Sequence, residues 1–510
     1  MSSDLSAGFA MFADVYNVLA IFGGVVIGTI VGAIPGMTGT MAVALALPFT
    51  FYMSPVTAIL LLVGLYKGAM YGGSITAILI KTPGTPAAAA TVLDGYPMAQ
   101  RGEAGKALNM ALYASCIADF ISNLSLIFLT GLIAGFALSF GPPEFFALIC
   151  FSLTIIAGVS GGSLLKGVIS AGLGLLFAVV GMDIIYGSER LTFGRFELME
   201  GLSFIPVLIG LFAIPEMLEA YRQRWRARSG MAPVGASRVS RAEFTRCLPT
   251  ILRGSLIGVV LGAIPGIGGA PAAFLSYSEA RRVSRHPERF GRGEIQGVAA
   301  AESGNNGVCG ATLIPLLSLG IPGDVITAVM LGAFMIHGLS PGPLLFQQNL
   351  PVVYALYFGI MLSSVFLFIT GKAMIRGFSR VADVPNPILF PAVLVLCFYG
   401  AYAVNGNMLD VLVMVAMGVF GFGMLTMGLP AAPFLIAFIL GPLFEDNFRR
   451  SMLMSHGDPS IFFRSWICWL FLGLTVLSLV MLLRPMGATQ RPEPGSAPPG
   501  KHAATAADGE

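Results

Sequence analysis

"GAIPGMTGT" at residues 32–40 and "GAIPGIGGA" at residues 262–270 contain the same pentapeptide, each time inside a strongly apolar stretch. Proline removes a backbone donor and glycine loosens a helix, so each copy predicts an interrupted helix. Both copies also fit the longer pattern G-x-x-x-G-A-I-P-G-x-x-G. In a chain rich in Gly and Ala, five identical residues can recur by chance, but a match over the longer pattern is much less expected. The doubled break therefore predicts two related halves.

The composition around these breaks is that of a membrane protein. The 510 residues are 56% hydrophobic and only 11% charged, whereas a soluble domain carries about 25% charged residues. Apolar runs recur along the chain, for example at 163–181, 354–370 and 465–483. A β-barrel would instead show alternating segments of about ten residues. We predict an all-α polytopic integral membrane protein with about 10–12 transmembrane helices plus re-entrant or broken helices.

Two arginine-rich stretches predict the orientation of the chain. Residues 222–246 contain seven arginines and residues 279–294 contain five, and short loops rich in Lys and Arg stay cytoplasmic. The first sixteen residues contain no Lys or Arg, so the N-terminus is predicted to be periplasmic. One half then starts outside and the other inside, which is the arrangement of two inverted-topology repeats.

The predicted organisation has four parts. They are a first transmembrane repeat at 1–220, an Arg-rich cytoplasmic linker at 221–246, a second transmembrane repeat at 247–484, and a disordered C-terminal tail at 485–510 that is rich in Pro, Ala and Gly.

The segment 249–278 lies between the two arginine-rich stretches and is predicted to be a re-entrant hairpin. It is expected to be helical to about Ile264, followed by the loop PGIGG and a short second arm. An arm of about eight to ten residues rises only ~15 Å, which is too short to cross ~30 Å of hydrocarbon. Such a backbone is tolerated only where protein or water surrounds it.

Broken membrane helices expose backbone groups that can bind ligands. The N-terminus of the second helix carries partial positive charge and suits a carboxylate. The alternative interpretation of each break is a plain kink with close packing at glycine. We predict substrate contacts at the two glycine breaks and at the broken segments that follow them. The predicted substrate-binding residues are Pro35, Gly36, Thr38, Gly39, Ser74, Thr82, Pro83, Gly84, Thr85, Gly266, Gly268, Gly269, Pro322 and Gly323.

Charged and amide side chains are scarce in the apolar segments, and this scarcity points to function. The predicted ion-coupling residues are Asn305, Asn306, Asp119 and Asp324. A polar contact between helices is an equally simple interpretation of Asp119. The six cysteines and four histidines are dispersed without metal-ligand spacing. We therefore predict no metal site, no catalytic residue and no cofactor, apart from a coupling ion, Na⁺ or H⁺.

The sequence resembles the large membrane subunit of the tripartite tricarboxylate transporters, the TctA family. The matching stretches occur in the family's order and cover nearly the whole chain. They are "GAIPGMTGTMAVALALPFTF", "YGGSITAILIKTPGTPAAAATVLDGYPMAQRGEAGKAL", "GPPEFFAL", "RLTFGRFELMEGLSFIPVLIGLFAIPEML", "ESGNNGVCGATLIPLLSLGIPGD" and "HGLSPGPLLF". Gly307 and Asp324 depart from the small residues expected there, which bears on the choice of substrate or ion.

This resemblance implies a partner system and a mode of transport. A small four-helix membrane subunit and a periplasmic solute-binding protein are the expected partners, in the bacterial inner membrane. Uptake is expected to be driven by an ion gradient, without ATP, and no G-x-x-x-x-G-K-[ST] motif occurs. The expected substrates are organic carboxylates of the tricarboxylate or dicarboxylate class. The alternatives are a stand-alone channel or exporter for small anions, or an intramembrane enzyme. No nucleic-acid partner is expected.

Overall fold

The structure is a computed structural model that describes residues 2–34, 37–159, 163–183, 185–224, 237–381 and 386–483. These residues are mostly α-helical with very little strand, as predicted. The helices of the first half are α1 (Ser2–Phe12), α2 (Val15–Gly32), α3 (Gly39–Thr50), α4 (Pro55–Ile80), α5 (Ala89–Gln100), α6 (Ala104–Ala137), α7 (Pro142–Val159), α8 (Leu164–Ala178) and α9 (Phe204–Arg224). The helices of the second half are α10 (Arg241–Gly262), α11 (Gly269–Val283), α12 (Ile295–Ala311), α13 (Leu313–Leu319), α14 (Val325–Ile336), α15 (Pro343–Gln348), α16 (Leu350–Val381), α17 (Asn386–Asn405), α18 (Met408–Met427), α19 (Ala431–Met454) and α20 (Trp466–Leu483).

Within the described ranges, eight helices are long and apolar enough to cross a membrane. They are α2, α4, α6, α7, α10, α16, α18 and α19. Shorter apolar helical segments of 10–17 residues accompany them: α3, α8, α14, Pro391–Asn405 of α17 and Trp466–Leu482 of α20. Together the long and the shorter apolar helices agree with the predicted all-α polytopic fold. The chain is a multi-pass membrane protein.

Glycine brings two helix pairs to backbone contact, one pair in each half. A Cβ on Gly28 of α2 would lie 2.8 Å from the Cα of Leu65 in α4. A Cβ on Gly258 of α10 would lie 2.7 Å from the carbonyl oxygen of Gly304 in α12. Small residues at such crossings let membrane helices pack closely. Gly28 and Gly258 hold the same place in the doubled pattern, so both copies build the same kind of helix pair.

Helices α4 and α12 form the centre of the molecule. In α4, 94% of the most apolar window is buried, and every residue of α12 except Gln296 is buried. A helix that is buried all round contacts protein on every side. Polar side chains on these two helices must therefore find their partners inside the protein.

Both copies of the pentapeptide do interrupt a helix. In the first copy α2 ends at Gly32 and α3 begins at Gly39; in the second, α10 ends at Gly262 and α11 begins at Gly269. A second interruption follows in each half, between α4 and the 3₁₀ turn Pro86–Ala88 and between α13 and α14. Pro35 and Gly36 lie outside the described residues.

Two local expectations differ from the structure. The second arm after PGIGG is α11, with 15 residues, so it rises about 22 Å and not ~15 Å. It is still shorter than the ~30 Å hydrocarbon core, and the re-entrant path remains a prediction. The region 302–343 was expected to be broken; its first part, to Ala311, lies within the continuous helix α12, and the interruption comes at 320–324, between α13 and α14.

The boundaries of the predicted linker also move. Helix α9 continues to Arg224, and α10 begins at Arg241 with a capping box between Ser240 and Glu243. The remaining linker residues 225–236 and the predicted tail 485–510 lie outside the described residues. An additional helix, α1, was not predicted; its Phe9 packs edge-on against Phe358 of α16 at 5.4 Å.

A short strand pair lies in the loop between α8 and α9. Strands β1 (Gly181–Met182) and β2 (Glu189–Arg190) pair antiparallel. The Asp183 carboxylate accepts from the backbone N–H of Tyr186 at 2.8 Å and pairs with Arg449 of α19 at 2.9 Å. The backbone hydrogen bond and the guanidinium hold the pKa of Asp183 below its ordinary value. The loop is thus tied to α19.

Candidate functional site

The two glycine breaks meet at one cavity of about 430 Å³, here called the hairpin cavity. The first break contributes the start of α3, and the second contributes the loop before α11. The interruptions after α4 and before α14 contribute further residues, and Met70, Val159, Phe274, Ala432 and Ile436 line the rest. The residues of these four segments that line the cavity are Thr38, Gly39, Thr40, Thr85, Pro86, Ala87, Gly266, Ile267, Gly268, Gly269, Ala270, Pro271, Asp324, Val325 and Ile326.

Local backbone chemistry positions the second break. Gly266 and Gly268 have φ values of +84° and +68°, a conformation that residues with a Cβ rarely adopt. The N–H of Gly266 donates to the carbonyl oxygen of Gly323 at 2.7 Å. A Cβ on Gly323 would lie 2.6 Å from the backbone of Thr312. Gly323 therefore holds the loop in place, although it was predicted to contact substrate and does not line the cavity.

Two helices point their N-termini at the hairpin cavity. Helix α3 begins at Gly39, where the Thr38 hydroxyl accepts from the N–H of Met41 at 3.2 Å. Helix α11 begins at Gly269, and its N-cap Gly268 provides no side-chain cap. First-turn N–H groups without a helical partner carry partial positive charge and bind anions. The cavity therefore presents two sets of such donors.

A second cavity of about 460 Å³, here called the side cavity, adjoins the first. The two cavities share Thr38, Thr85 and Pro86. Glu216 of α9 lines the side cavity, and the Thr38 hydroxyl lies 2.8 Å from both of its carboxylate oxygens. Glu216 was not among the predicted site residues. The sequence feature that could have identified Glu216 is its position directly after a proline in the apolar run "LFAIPEML".

The predicted substrate-binding residues divide by position. Those that line the side cavity, the hairpin cavity or both are Thr38, Gly39, Thr82, Pro83, Gly84, Thr85, Gly266, Gly268 and Gly269. Those that line neither are Ser74, Pro322 and Gly323. Ser74 lies fully buried on α4, beside Glu302.

Asp324 lines the hairpin cavity and is the N-cap residue of α14. Its carboxylate caps α14 by accepting from the N–H of Thr327 at 2.8 Å. Its other oxygen accepts from the hydroxyl of Tyr66 at 2.8 Å. Asp324 thus has polar partners on both oxygens while it lines the hairpin cavity.

Asn305 and Asn306 lie on α12 and are completely buried. The amide nitrogen of Asn306 donates to Ser115 at 2.8 Å, but its Oδ1 has no partner among the described residues. Neither polar atom of Asn305 has a partner there. A Cβ on Gly269 would lie 3.1 Å from Asn305 Oδ1, so this amide adjoins the hairpin cavity.

Asp119 lies in a different surrounding, away from both cavities. Its Oδ1 lies 3.0 Å from Nζ of Lys67 on α4, and both side chains are buried. Its Oδ2 accepts from Ser364 of α16 at 2.5 Å and from Asn123 at 3.2 Å. The structure shows a buried ion pair that links α4, α6 and α16.

Glu302 is a second acid that was not among the predicted site residues. It is fully buried on α12 and accepts hydrogen bonds from Thr91 and from Ser115, the latter at 3.0 Å. The sequence feature that could have identified Glu302 is its position as an acid before small polar residues in "ESGNNG". Among the described residues, no group of three or more His, Cys, Asp and Glu side chains is arranged to hold a metal ion.

One pentapeptide, GLSPG at 338–342, fits the serine-hydrolase pattern G-x-S-x-G by its letters. That motif places its serine on a turn between a strand and a helix. Here it lies between α14 and α15, and in the described part of the chain strand occurs only in β1 and β2. Ser340 lacks the required surroundings, so we assign it no catalytic role.

Comparisons with known proteins agree with this architecture. A family model described as the tripartite tricarboxylate transporter TctA family matches residues 18–436. An uncharacterized 52.8 kDa protein of the TAR-I ttuC' 3' region of Agrobacterium vitis is 38% identical over 489 residues, covering 96% of this chain and 97% of the relative. An uncharacterized protein of the TAR-II ttuC' 3' region of the same organism is 34% identical over 234 residues, which is 46% of this chain and 97% of that relative.

No solved structure shows a significant match to this chain. The family match covers both glycine breaks, both cavities and the central helices α4 and α12. The chain belongs to the tripartite tricarboxylate transporter TctA family.

Proposed function

We propose that this chain is the large permease subunit of a binding-protein-dependent secondary transporter that imports organic carboxylates across the bacterial inner membrane. Its partners are a small four-helix membrane subunit and a periplasmic solute-binding protein, and an ion gradient of Na⁺ or H⁺ drives uptake. Membership of a tripartite transporter family supports the existence of partner subunits. The substrate class and the transport role rest on the following arguments, and import is what the resemblance to binding-protein-dependent permeases implies.

The observation that carries the proposal is the hairpin cavity with the N-termini of α3 and α11 at its wall. Its volume of about 430 Å³ falls in the usual range for small-molecule sites, roughly 300–1,000 Å³. Uncapped N–H groups favour a negatively charged ligand. A small carboxylate combines this charge with a suitable size.

The glycine breaks at matching positions of the two halves favour a transporter over a protein that only binds its ligand. Each half supplies one glycine break to the same cavity, and each half packs its helix pair through glycines at the same positions of the pattern. In secondary transporters, substrate sites lie between related halves at discontinuous helices. Motion of one half against the other can then open such a site to either side in turn.

The first test is uptake by proteoliposomes that contain both membrane subunits and the cognate binding protein. A panel of radiolabelled tricarboxylates, dicarboxylates and neutral analogues identifies the substrate class. We expect Gly269→Leu to abolish uptake, because its side chain would enter the hairpin cavity between Met70 and Ala87, which already lie 3.0 and 3.2 Å from a Cβ there. Gly473→Leu is the matched control, since nothing lies within 4 Å of a Cβ at Gly473.

A milder variant tests the hydroxyl of Thr38, which lines both cavities. Thr38→Val removes the hydroxyl that caps α3 and bonds Glu216, and we expect about a tenfold fall in uptake efficiency from the lost hydrogen bonds. Thr426→Val is the control, because Thr426 is exposed and its hydroxyl bonds only the Gly423 carbonyl of its own helix. Uptake of no carboxylate by the wild-type complex, or normal uptake by Gly269→Leu, would contradict the proposal.

A further inference from the structure

We propose that the carboxylate of Glu302, with the oxygens of Thr91, Ser115, Asn305 and Asn306, forms a binding site for one Na⁺ ion. This group of five residues is here called the Glu302 site. The inference rests on the proposed function, because it names the ion and the residues that would couple uptake to a gradient. It differs from the expectation for Asp119, whose charge is paired with Lys67, and for Asp324, which caps α14 and accepts from Tyr66.

The first argument is charge. Glu302 is fully buried in the middle of α12. No Lys, Arg or His in the described ranges forms an ion pair with it, whereas the buried Asp119 has Lys67. An isolated buried carboxylate is expensive unless it is neutralised. A single acid balances a monovalent cation, whereas a divalent ion would leave a net buried charge.

The second argument is the set of neutral oxygens around this acid. Hydroxyls reach Glu302 from two other helices: Thr91 of α5 and Ser115 of α6. The Asn306 side chain is anchored beside them, with its nitrogen 2.8 Å from Ser115 and 3.5 Å from the Glu302 carboxylate. Carboxylate, hydroxyl and amide oxygens are the ligands that hard cations take.

The third argument distinguishes Na⁺ from a proton. The Oδ1 atoms of Asn305 and Asn306 are buried, and neither has a hydrogen-bond partner among the described residues. Buried polar groups without partners are rare and costly in proteins. A proton on Glu302 would neutralise the acid but leave these amide oxygens unsatisfied. A metal cation accepts electron pairs from the carboxylate and from the amides together.

The fourth argument is the link to the substrate cavity. Asn305 follows Glu302 by one helical turn, and residues three apart are neighbours on a helix. On its other side Asn305 adjoins Gly269 at the start of α11, where its Oδ1 would lie 3.1 Å from an added Cβ. A single amide therefore separates the cation site from the anion-binding end of α11. Opposite charges at this separation favour each other, which supplies a coupling free energy between ion and substrate.

The direct test is thermal stability of the purified protein in NaCl, KCl and choline chloride, at several pH values and without substrate. A ligand that binds the folded state raises Tm with its concentration. We expect NaCl to raise Tm above its value in KCl for the wild type, and Glu302→Gln to lose this Na⁺-specific shift. Glu302→Asp keeps the charge and should retain a weaker shift. Glu279→Gln is the control, because that acid pairs with the exposed Arg282 at the end of α11.

Two neighbouring variants cover the case that Glu302→Gln does not fold. Thr91→Val and Ser115→Ala each remove one oxygen and leave the acid in place. We expect each to raise the half-maximal Na⁺ concentration, for the Tm shift and for uptake, about fivefold to tenfold. Unchanged values in both variants would overturn the site.

The outcomes separate this inference from the proposed function. A wild-type Tm that responds to pH and not to Na⁺, or a Na⁺ response that persists in Glu302→Gln, overturns the Glu302 site while carboxylate uptake stands. A Na⁺-specific shift that is lost in Glu302→Gln, in a complex that transports no carboxylate, supports the site and overturns the proposed function. In proteoliposomes, Glu302→Gln should lose Na⁺-driven accumulation and keep carboxylate exchange.

Discussion

Lys67 and Asp119 carry opposite charges in the middle of apolar helices, and each is the other's ion-pair partner. Their pair is completed by Asn123, which accepts from Lys67 at 2.8 Å, and by Ser364. Glu302, in contrast, is surrounded by neutral groups only. The sequence indicated that buried charges matter here, but not which of them already had a partner, since the partners come from distant parts of the chain.

The ion pair leads to a prediction about stability. We expect Lys67→Met to lower the free energy of unfolding by about 3–5 kcal/mol, because it leaves the Asp119 charge buried and unpaired. The double variant Lys67→Met/Asp119→Leu should lose less than the sum of the two single variants. Unfolding by SDS in mixed micelles measures these differences.

Lys106→Met is the control for that experiment. Lys106 pairs with Glu103 and Glu243, and both acids are partly exposed, so its loss should change the free energy of unfolding by less than about 1 kcal/mol. Equal losses for Lys67→Met and Lys106→Met would show that the buried pair has no special role.

At the scale of helices, the repeated glycines decide how closely α2 approaches α4 and α10 approaches α12. Gly24, Gly28 and Gly32 of α2 all face backbone atoms of α4. The sequence pattern identified Gly28 and Gly32 as markers of a repeat, and close packing at glycine was the alternative interpretation of the breaks, with no partner helix named. Their packing role became visible only with the partner helix, because the interface is formed by residues far apart in the chain.

This packing predicts a position-specific effect of alanine. Gly28→Ala should lower the melting temperature and the yield of folded protein, because its Cβ would lie 2.8 Å from the Cα of Leu65. Forcing extra atoms into a packed interface costs typically about 1–3 kcal/mol. Gly23→Ala on the same helix is the control, since nothing lies within 4 Å of a Cβ there. Melting in detergent should separate the two variants, and coincident curves would argue against the close helix pair.

At the scale of the whole molecule, the two halves bring their breaks to one cavity, the hairpin cavity. The direction of each half across the membrane is a prediction from the arginine-rich stretches. A 15-residue α11 that packs along α10 is compatible with a hairpin that enters and returns. Its two flanks must then lie on the same side.

Cysteine labelling tests this topology. Single cysteines at Trp225 and Arg285, in a background with the six native cysteines replaced by alanine, should both react only from the cytoplasmic side of inverted and right-side-out vesicles. Labelling of the two positions from opposite sides would show that 249–278 crosses the membrane. A cysteine at Ser54, at the exposed start of α4, is a reference for accessibility.

The sequence by itself determined the all-α membrane architecture, the two helix interruptions and the family. Apolar length, Pro and Gly are local properties, and each acts on the backbone within a few residues. Only the tertiary structure decided which residues share a cavity, that Asp119 is paired with Lys67, that Glu216 and Glu302 adjoin the candidate sites, and that Asn305 contacts the start of α11. These contacts depend on how distant helices pack, and a pattern along one chain does not specify which faces meet.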